Sequence, residues 1–550
     1  MRRFRSLAYV IFALVVIAAL GALGAAAMMA SIISYHSPLH SNPPAPGDPL
    51  GLPLSRKVVI VMVDGLRLDT SLRISLMPFM NDLRSQGAFA EMHSRPPSFS
   101  QPGYATILTG AWPDINDSPP INLVFASIPA FTQDDLFSAA HRSGLTTAIS
   151  ASNWFEKFLH PETLNATYYT SKDDAAADAD VMQAAGSMLQ GDYSLVLIHL
   201  DQVDYAGHHL GGPLSPAGDA AAKKVDDYLG EIASHLDFKQ DTLIVLSDHG
   251  HIDPGGHGGP EPVTLIEPFV MAGANIKPGK YEGIQQVDAA PTVATLLGIN
   301  LPASAEGDPL TTMLDLPAET LSKALSAGLA QKQSLYLAYT SAIGAHPISF
   351  PISNEPAQYI RLLEAARSAR LSTERIWRTA VAVVVGVLPA VILVVRKVKK
   401  IFWTAMGAVL YALIFNFRIA ILDGHTYSLS WLESASSFLI YMAVTSAIAL
   451  IIAWVVIMAR QQAFQKSPRR AAQTSLALIH MTVYLLALPV LVNFAVNGLL
   501  TTWTLPEFYT IFIALLSFIQ ILLVVVFGLL LTGVIALITR LMPHSRYSAV

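Results

Sequence analysis

The sequence predicts an α/β domain joined to a polytopic helical membrane domain. Three short apolar runs, each followed by carboxylate or imidazole side chains, predict parallel strands that are buried on both faces. Six long apolar stretches predict helices that span a bilayer. The composition agrees, because 52% of the residues are hydrophobic and 14% are charged, values typical of membrane proteins rather than soluble enzymes.

Residues 1–36 are predicted to form a transmembrane anchor. Residues 7–34 contain no charged side chain, and basic residues precede them at the N-terminus. This stretch is longer than the about 20 residues that a spanning helix needs. It is also longer than the roughly 7–15 apolar residues of a signal peptide. Small residues from Gly24 to Ala27 leave cleavage open, and we expect a retained helix.

Residues 37–55 are rich in proline and predict an extended linker. Residues 56–310 follow and are long enough for one α/β core. Residues 311–376 predict an amphipathic helical connector that lies against either the domain or the lipid headgroups, and both placements stay open. Arginines and glutamates are interleaved with the apolar residues of this connector, which are Leu362, Leu363, Ala366 and Ile376.

Metal-ligating side chains follow the three apolar runs of the predicted sheet. VVIVMVDG ends with Asp64, LVLIHLDQVDYAGHH places Asp204 and His208 just beyond its run, and TLIVLSDHGH carries Asp248 and His249. Because the carboxyl ends of parallel strands meet at one edge of a sheet, we expect these side chains to share a crevice. An isolated Asp-His pair in a chain with 16 histidines would more often be a helix cap or a solvated loop. Repetition at three strand ends favours a metal site.

His257 lies in a glycine-rich segment, GGHGG, where the backbone can pack closely around an ion. Together with the strand-end residues it predicts a crevice for two divalent metal ions. Oxygen and nitrogen ligands without sulfur suit zinc or manganese. The chain contains no cysteine, which excludes disulfides and thiolate ligands.

Ser100 is the candidate nucleophile. It lies in SRPPSFSQPGYATILTG, at the start of a predicted helix whose first turn accommodates Pro102. A helix N-terminus favours an anionic phosphate and an anionic alkoxide. An ordinary helix cap is the alternative for this serine taken alone. Ser94 and Ser98 fit less well, because neither directly precedes the Gln-Pro-Gly turn.

These motifs resemble the alkaline phosphatase superfamily. They are most similar to its type I phosphodiesterase/nucleotide pyrophosphatase branch and to the related GPI ethanolamine phosphate transferases. The resemblance covers roughly Lys57 to Leu310 and includes QQVDAAPTVATLLGINLP, which is similar to the segment that closes the catalytic domain in that superfamily. It implies an alkaline-phosphatase-like domain with a mainly parallel sheet sandwiched by helices.

The resemblance also implies roles for individual residues and zinc as the metal. One metal would be held by Asp64, Ser100, Asp248 and His249, and the other by Asp204, His208 and His257. His257 follows Asp248 by nine residues, which resembles the ethanolamine phosphate transferases rather than the nucleotide pyrophosphatases. Asn122 is the candidate for the family's phosphate-binding asparagine. His251 replaces a residue that is usually apolar, and it either supports the ligands, faces the substrate or is a solvated loop residue.

The function that these features imply is phosphoryl transfer or phosphodiester cleavage by a membrane-bound enzyme with a serine nucleophile, acting on a lipid or glycolipid headgroup. A nucleotide pyrophosphatase or phosphatase with water as acceptor is the alternative. A non-catalytic membrane scaffold with a degenerate hydrolase domain is the alternative of another class. A sulfatase is disfavoured, because Ser100-Gln-Pro-Gly-Tyr lacks the arginine of the C/S-x-P-x-R pattern.

Five apolar stretches follow the connector and predict a membrane domain over 377–550. They are 379–395, 401–422, 435–459, 471–497 and 508–538. Basic residues cluster at 396–400, 460–470 and 540–546, whereas 423–434 and 498–507 contain no lysine or arginine. The positive-inside rule therefore predicts an extracytoplasmic catalytic domain and cytoplasmic termini.

A single helix is enough to anchor a domain, and six are predicted here. The additional helices indicate that the partners are membrane lipids and a lipid-linked or other phosphate-ester substrate. The membrane topology accounts for the basic clusters, and the net charge is −5, so we expect no nucleic-acid partner.

Overall fold

The structure is a computed structural model, and it describes residues 2–174, 176–346, 355–395, 401–432 and 434–541. The predicted basic segment 396–400 and the C-terminal residues 542–550 lie outside these ranges.

In the described part of the chain, nine strands form one mixed sheet with the order β4-β3-β5-β1-β6-β7-β2-β8, and β9 pairs with β2. The strands are β1 (Lys57–Val63), β2 (Ala88–His93), β3 (Thr147–Ser152), β4 (Ala166–Thr170), β5 (Leu195–Leu200), β6 (Asp241–Leu246), β7 (Ile266–Gly273), β8 (Gly279–Lys280) and β9 (Ile284–Gln285). Strands β4, β3, β5, β1 and β6 run parallel to one another, and β7 runs antiparallel to both of its neighbours, β6 and β2.

The helices alternate with these strands in the first part of the chain and follow one another in the last part. They are α1 (Arg2–Ile33), α2 (Leu68–Ser71), α3 (Pro78–Gln86), α4 (Ser100–Thr109), α5 (Pro113–Asn116), α6 (Leu136–Arg142), α7 (Ala177–Gln190), α8 (Gln202–His209), α9 (Pro216–Ser234), α10 (Pro262–Leu265), α11 (Ala289–Leu297), α12 (Ala318–Ala342), α13 (Pro356–Val395), α14 (Ile401–Phe417), α15 (Ala435–Arg460), α16 (Ala463–Lys466), α17 (Pro468–Asn497) and α18 (Phe508–Leu541).

The central strands are apolar along their whole length because both faces of the sheet are covered. Side chains alternate across a strand, and in β1 Ile60 and Met62 pack with α4, α6 and α11 on one face. Val61 and Val63 pack with α3, α7 and α9 on the other face. The predicted α/β architecture, with a mainly parallel sheet between helices, is confirmed. The carboxyl ends of β1, β5 and β6 lie side by side.

The proline-rich segment 37–55 forms neither helix nor strand, and it is fixed to the catalytic domain. Leu39 and Leu50 are buried in two different apolar clusters. The Gly51 N–H donates to the Gly298 carbonyl at 3.0 Å. The segment is therefore a strap across the domain, and the buried leucines give it contacts that a free linker lacks.

The connector lies against the catalytic domain, which decides between the two placements that the sequence left open. Leu335 in α12 and Leu363 in α13 pack against Ile115 and Leu39. The Arg367 guanidinium forms a salt bridge with Asp114. The expected boundary between residues 376 and 377 falls inside α13, because its amphipathic and apolar parts form one continuous helix of 40 residues.

Six helices are long and apolar enough to cross a membrane, among the residues that the structure describes. They span Tyr9–Ile33, Pro356–Val395, Ile401–Leu422, Ala435–Arg460, Pro468–Asn497 and Phe508–Leu537. Large apolar side chains such as Phe12, Val384 and Leu413 are exposed on them, as expected for surfaces that face lipid. The chain is an integral membrane protein, as predicted.

Candidate active site

Two strand ends bring Asp64, Asp248 and His249 together in the interior of the domain. Asp64 follows β1, and the other two follow β6. The His249 Nε2 lies 3.2 Å from Asp64 Oδ1 and 3.4 Å from Asp248 Oδ2. All three residues are buried. In the described structure, Asp64 Oδ1 and Asp248 Oδ2 accept no hydrogen bond, so two carboxylate oxygens are directed at a position that a cation would fill.

Ser100 is the first residue of α4, and its hydroxyl faces this group. The Ser100 Oγ lies 3.1 Å from His249 Nε2 and accepts a hydrogen bond from Asn122 Nδ2 at 3.2 Å. The Asn122 Oδ1 in turn accepts from the Gln101 N–H at 3.0 Å, which fixes the amide orientation. The serine hydroxyl is thus held at a helix N-terminus beside three candidate ligands.

The two neighbouring serines are engaged elsewhere. The Ser98 hydroxyl donates to the Gly259 carbonyl at 3.0 Å. The Ser94 hydroxyl donates to Glu267 at 2.6 Å. Both are buried structural donors, which leaves Ser100 as the serine that faces the metal-ligating groups.

A second group forms around Asp204. Asp204 and His208 lie one turn apart on α8, directly after β5. The Asp204 Oδ1 lies 3.6 Å from His208 Nε2 and 3.6 Å from His257 Nε2. The two Nε2 atoms of His208 and His257 are 2.9 Å apart. One carboxylate and two imidazoles therefore converge on one point.

The two groups adjoin each other. The rings of His249 and His257 stack with their centroids 3.8 Å apart. Together they contain every ligand that the resemblance implied: Asp64, Ser100, Asp204, His208, Asp248, His249 and His257. Oxygen and imidazole nitrogen donors without sulfur suit divalent cations such as zinc or manganese. The residues present fit two metal ions.

The electrostatics of the crevice favour bound cations. Burial and the nearby Asp64 carboxylate raise the pKa of Asp248 well above its ordinary value. Burial, and then the charge of His249, lower the pKa of His257 well below its ordinary value. Both shifts reflect first the cost of placing a charge in a water-poor site and then the nearby like charge. Bound cations would relieve the repulsion between the carboxylates.

His251 is buried and supports Asp204, so it is not a solvated loop residue. Its Nε2 lies 2.7 Å from Asp204 Oδ1, and its Nδ1 accepts the Gly256 N–H at 2.9 Å. A proton on Nε2 satisfies both contacts. The ring is packed so tightly that a Cβ at Gly65 or Gly207 would lie 2.8 or 2.6 Å from it. Both glycines are therefore required where they stand.

Two residues that the motifs did not indicate hold the other oxygen of Asp64. The His199 Nε2 lies 3.0 Å from Asp64 Oδ2, and the Tyr104 hydroxyl donates to the same oxygen. The hydroxyl also lies 2.9 Å from His199 Nε2. The signal for His199 is a lone histidine inside the apolar strand β5. These contacts leave Oδ1 of Asp64 free for a ligand.

A loop of the membrane domain closes one side of the crevice. A cavity of about 120 Å³ is lined by Phe99, Asn122, His208, Pro254, Gly255, Gly256, His257, Ser430 and Leu432. The last two residues belong to the segment 423–432 between α14 and α15, which we name the docking loop. Its Thr426, Ser428 and Ser430 hydroxyls donate to the Glu261 carboxylate at 2.5, 2.5 and 2.6 Å.

The docking loop also contacts the glycine-rich segment that carries His257. The Gly259 N–H donates to Ser430 Oγ at 2.9 Å. Burial raises the pKa of Glu261, but hydrogen bonds from Ser428, Ser430 and Thr426 outweigh it and leave the pKa below its ordinary value. The Glu261 carboxylate is therefore ionised and serves as the anchor of the docking loop.

Residues 58–116 and 132–257 match the family model described as type I phosphodiesterase / nucleotide pyrophosphatase. The seven candidate ligands all lie within these ranges, and Asn122 lies between them.

The chain is similar to GPI ethanolamine phosphate transferases. It is 25% identical over 304 residues to the catalytic subunit of GPI ethanolamine phosphate transferase 2 of Homo sapiens, covering 50% of this chain and 30% of that protein. It is 24% identical over 457 residues to GPI ethanolamine phosphate transferase 2 of Candida albicans, covering 72% of this chain and 49% of that protein. The chain thus spans between about a third and a half of the length of these relatives. The family model and these relatives confirm the predicted resemblance.

Two solved structures are also similar. Human ectonucleotide pyrophosphatase / phosphodiesterase 5 is 14% identical, with 47% of this chain and 98% of that chain covered and a TM-score of 0.41. The alkaline phosphatase PafA is 12% identical, with 48% of this chain and 100% of that chain covered and a TM-score of 0.38.

Proposed function

We propose that this chain is a membrane-bound two-metal phosphoryl transferase that uses Ser100 as its nucleophile and acts on a phosphodiester, such as a lipid or glycolipid headgroup. The observation that carries this proposal is the Ser100 hydroxyl, 3.1 Å from His249, beside two adjoining groups of metal-ligating side chains. The similarity to GPI ethanolamine phosphate transferases supports transfer of a phosphoethanolamine-like headgroup.

Asp64, Asp248 and His249 would hold one cation next to Ser100, and Asp204, His208 and His257 would hold the other. Two bound divalent cations lower the pKa of a coordinated hydroxyl and compensate the negative charge of the phosphoryl group. We propose zinc as the metal, with manganese as the alternative.

The side chains around Ser100 orient it for attack on phosphorus. The Asn122 amide donates to Ser100 Oγ at 3.2 Å, and the same amide can donate to a phosphate oxygen that approaches the serine. The N-terminus of α4 adds a favourable field for the developing negative charge. His199 and Tyr104 keep Asp64 in one orientation, so that its free oxygen faces the same point.

The reaction has two in-line steps. Ser100 Oγ forms a bond to phosphorus while the bond to the leaving oxygen of the donor breaks, which gives a phosphorylated serine that still carries the headgroup. An acceptor hydroxyl then forms the new phosphorus–oxygen bond and releases Ser100. With a lipid or glycan hydroxyl as acceptor the enzyme is a transferase, and with water it is a hydrolase.

The membrane domain supports the lipid substrate. Ser430 and Leu432 of the docking loop line the cavity beside His208 and His257, so the membrane domain forms part of the crevice. A single helix would already anchor the domain, and six helices with a loop at the site indicate a substrate that is itself in the membrane. We expect no nucleic-acid partner.

We also propose that the catalytic domain is extracytoplasmic and that both termini are cytoplasmic. The docking loop and the segment 498–507 contain no lysine or arginine. The docking loop contacts Glu261 of the catalytic domain. The segment 498–507 contacts α13, where the Arg370 guanidinium lies over the Trp503 ring. These contacts support a placement of both segments and the catalytic domain on one side of the membrane, which the distribution of basic residues also predicts.

Turnover of three substrates by one detergent-purified sample tests the function. We expect cleavage of a chromogenic phosphodiester, weaker cleavage of a phosphomonoester and none of a sulfate ester, with loss of all activity in chelator. Adding a phosphoethanolamine lipid with and without a glycolipid acceptor separates transfer from hydrolysis. Headgroup release at the same rate without acceptor would establish the hydrolase alternative, and chelator-insensitive turnover would contradict the two-metal site.

A further inference from the structure

A second cluster of histidine and carboxylate side chains lies outside the crevice, where the end of α1 meets the catalytic domain. The His36 Nδ1 lies 3.3 Å from Asp117 Oδ1, and the His40 Nδ1 lies 2.6 Å from Asp117 Oδ2. The centroids of the two imidazole rings are 4.1 Å apart. One ligand atom from each of the three residues lies within 4.8 Å of the others.

The carboxylate of this cluster is buried, while its histidines reach solvent. The Asp117 side chain is 3% exposed, and those of His36 and His40 are 43% and 36% exposed. Asp117 also accepts from the Ser37 N–H at 2.7 Å and from the Thr132 hydroxyl at 3.0 Å. Asp117 is therefore held in place, and both rings are accessible from the solvent side.

In the part of the chain that the structure describes, Asp117 forms no ion pair with a lysine or an arginine. Within the described ranges, the ion-pair partners of Asp117 are His36 and His40. A buried carboxylate is stable when a cation compensates it.

We propose that His36, His40 and Asp117 bind a divalent metal ion, with zinc as the best match to two imidazole nitrogens and one carboxylate oxygen. In this site each ring would present Nδ1, the atom that faces Asp117, to the ion and carry its proton on Nε2. The partial exposure of both rings leaves a fourth position for a water molecule. This site is separate from the crevice and does not depend on the function proposed above.

The ion would cross-link parts of the chain that are far apart in sequence. His36 and His40 directly follow the membrane helix α1, whereas Asp117 follows α5 in the catalytic domain, 81 and 77 residues along the chain. The chain has no cysteine with which to make a covalent link between them. A metal that binds the folded state alone stabilises that state by mass action, so the site ties the catalytic domain to its anchor.

Zinc content of the purified full-length protein tests this site. The double variant His36→Ala/His40→Ala should lose about one equivalent of zinc per chain and keep the equivalents bound in the crevice. Asp117→Asn should lose the same equivalent while keeping an acceptor oxygen for Ser37. The matched control is His141→Ala/His235→Ala, which removes two exposed histidines and should leave the zinc content unchanged. Unchanged zinc content in the first two variants would overturn the proposal.

Cobalt substitution isolates the site from the crevice. In an Asp204→Ala/Asp248→Ala background, Co²⁺ should still give visible d–d absorption, and adding His36→Ala/His40→Ala should abolish it. Thermal unfolding then distinguishes the contribution of the metal to stability from that of the hydrogen bonds made by His36 and His40. The site predicts that zinc raises the Tm of this background and no longer does so after the two histidines are removed. Equal zinc effects with and without His36 and His40 would show that these residues contribute hydrogen bonds alone.

Discussion

The Ser430 hydroxyl donates to the Glu261 carboxylate at 2.6 Å, and this contact joins the membrane domain to the catalytic domain at the edge of the crevice. The N–H of Gly259, which lies two residues after His257, donates a hydrogen bond to the Ser430 hydroxyl. The conformation of the glycine-rich segment is therefore coupled to a loop of the membrane domain.

Glu261→Ala should release the docking loop, because it removes three charge-assisted hydrogen bonds, each worth about 1.5–3 kcal/mol when a charged group is involved. We expect a loss of transfer from a lipid donor that is larger than the loss of chromogenic phosphodiester turnover, measured as kcat and KM for each substrate. Glu282→Ala, at an exposed glutamate, is the matched control. Equal effects of Glu261→Ala on both substrates would argue against a role of the docking loop in lipid substrate use.

Ser100→Ala should reduce phosphoryl transfer to below a few per cent, because among the described residues it is the Ser100 hydroxyl that lies beside His249. Its side chain contacts His249 and Asn122 and caps no helix, so thermal unfolding should change little. Mass spectrometry of wild type quenched during turnover should show a substituted phosphate on Ser100. Substantial activity of the variant with intact metal content would move the nucleophile to another group.

Asp248→Ala and His208→Ala should each lower metal occupancy and activity together, since each removes a ligand from a different group. We expect the loss of activity to be large, because the cations supply both activation of the nucleophile and charge compensation. Metal analysis and turnover are measured on the same preparations. Full activity in excess chelator would rule out this model.

Glu306 should make the fold less stable at alkaline pH. Burial, and then the Asp114 carboxylate, raise its pKa from 4.5 to about 8, against the opposing charge of Arg367. Between these values the folded state binds more protons than the unfolded state, so stability falls as the pH rises through this interval. Glu306→Gln keeps an acceptor for the Trp112 N–H, and it should raise the Tm near pH 8 while changing it little near pH 4.

The control for this prediction is Glu282→Gln, which substitutes an exposed glutamate. Its Tm difference from wild type should stay small at every pH. A Tm difference between Glu306→Gln and wild type that does not vary with pH would show that packing, rather than the proton, accounts for the effect.

Protease added to sealed right-side-out vesicles should cut within 37–310 and spare the segments 396–400 and 460–470. The reason is the positive-inside rule, which places basic segments in the cytoplasm. Permeabilised vesicles provide the control, because all of these segments should then be accessible. Protection of the catalytic domain in sealed vesicles would reverse the orientation, and with it the side on which the lipid substrate lies.

The strand-end residues could be predicted from sequence because their signal is local. Asp64, Asp248 and His249 each follow an apolar run within two or three residues, and a buried parallel strand accounts for such a run. The start of α4 at Ser100 could also be predicted from a local signal, because Pro102 is suited to the first turn of a helix. The assignment of these residues to one or the other metal came from the family resemblance, because the local patterns do not show which residues lie together.

The supporting contacts could not be predicted, because they depend on tertiary register. His199 reaches Asp64 since β5 pairs with β1 and places His199 opposite Met62. Glu261 and Ser430 meet across 169 residues of chain, and no periodicity connects them. The strap 37–55 has the composition of a linker, and its buried leucines become visible only when the surface beneath them is known.

Because α13 is continuous, it connects the membrane domain to the catalytic domain through a single helix. Before Pro389 the helix runs without interruption from Pro356, which at 1.5 Å per residue is a rod of about 50 Å. Arg367 fastens the N-terminal part of this rod to Asp114, and the helix is long and apolar enough to cross a membrane. Tilting such a lever by about 10° shifts its far end by about 9 Å. We therefore expect the tilt of α13 in the membrane to affect the position of the catalytic domain.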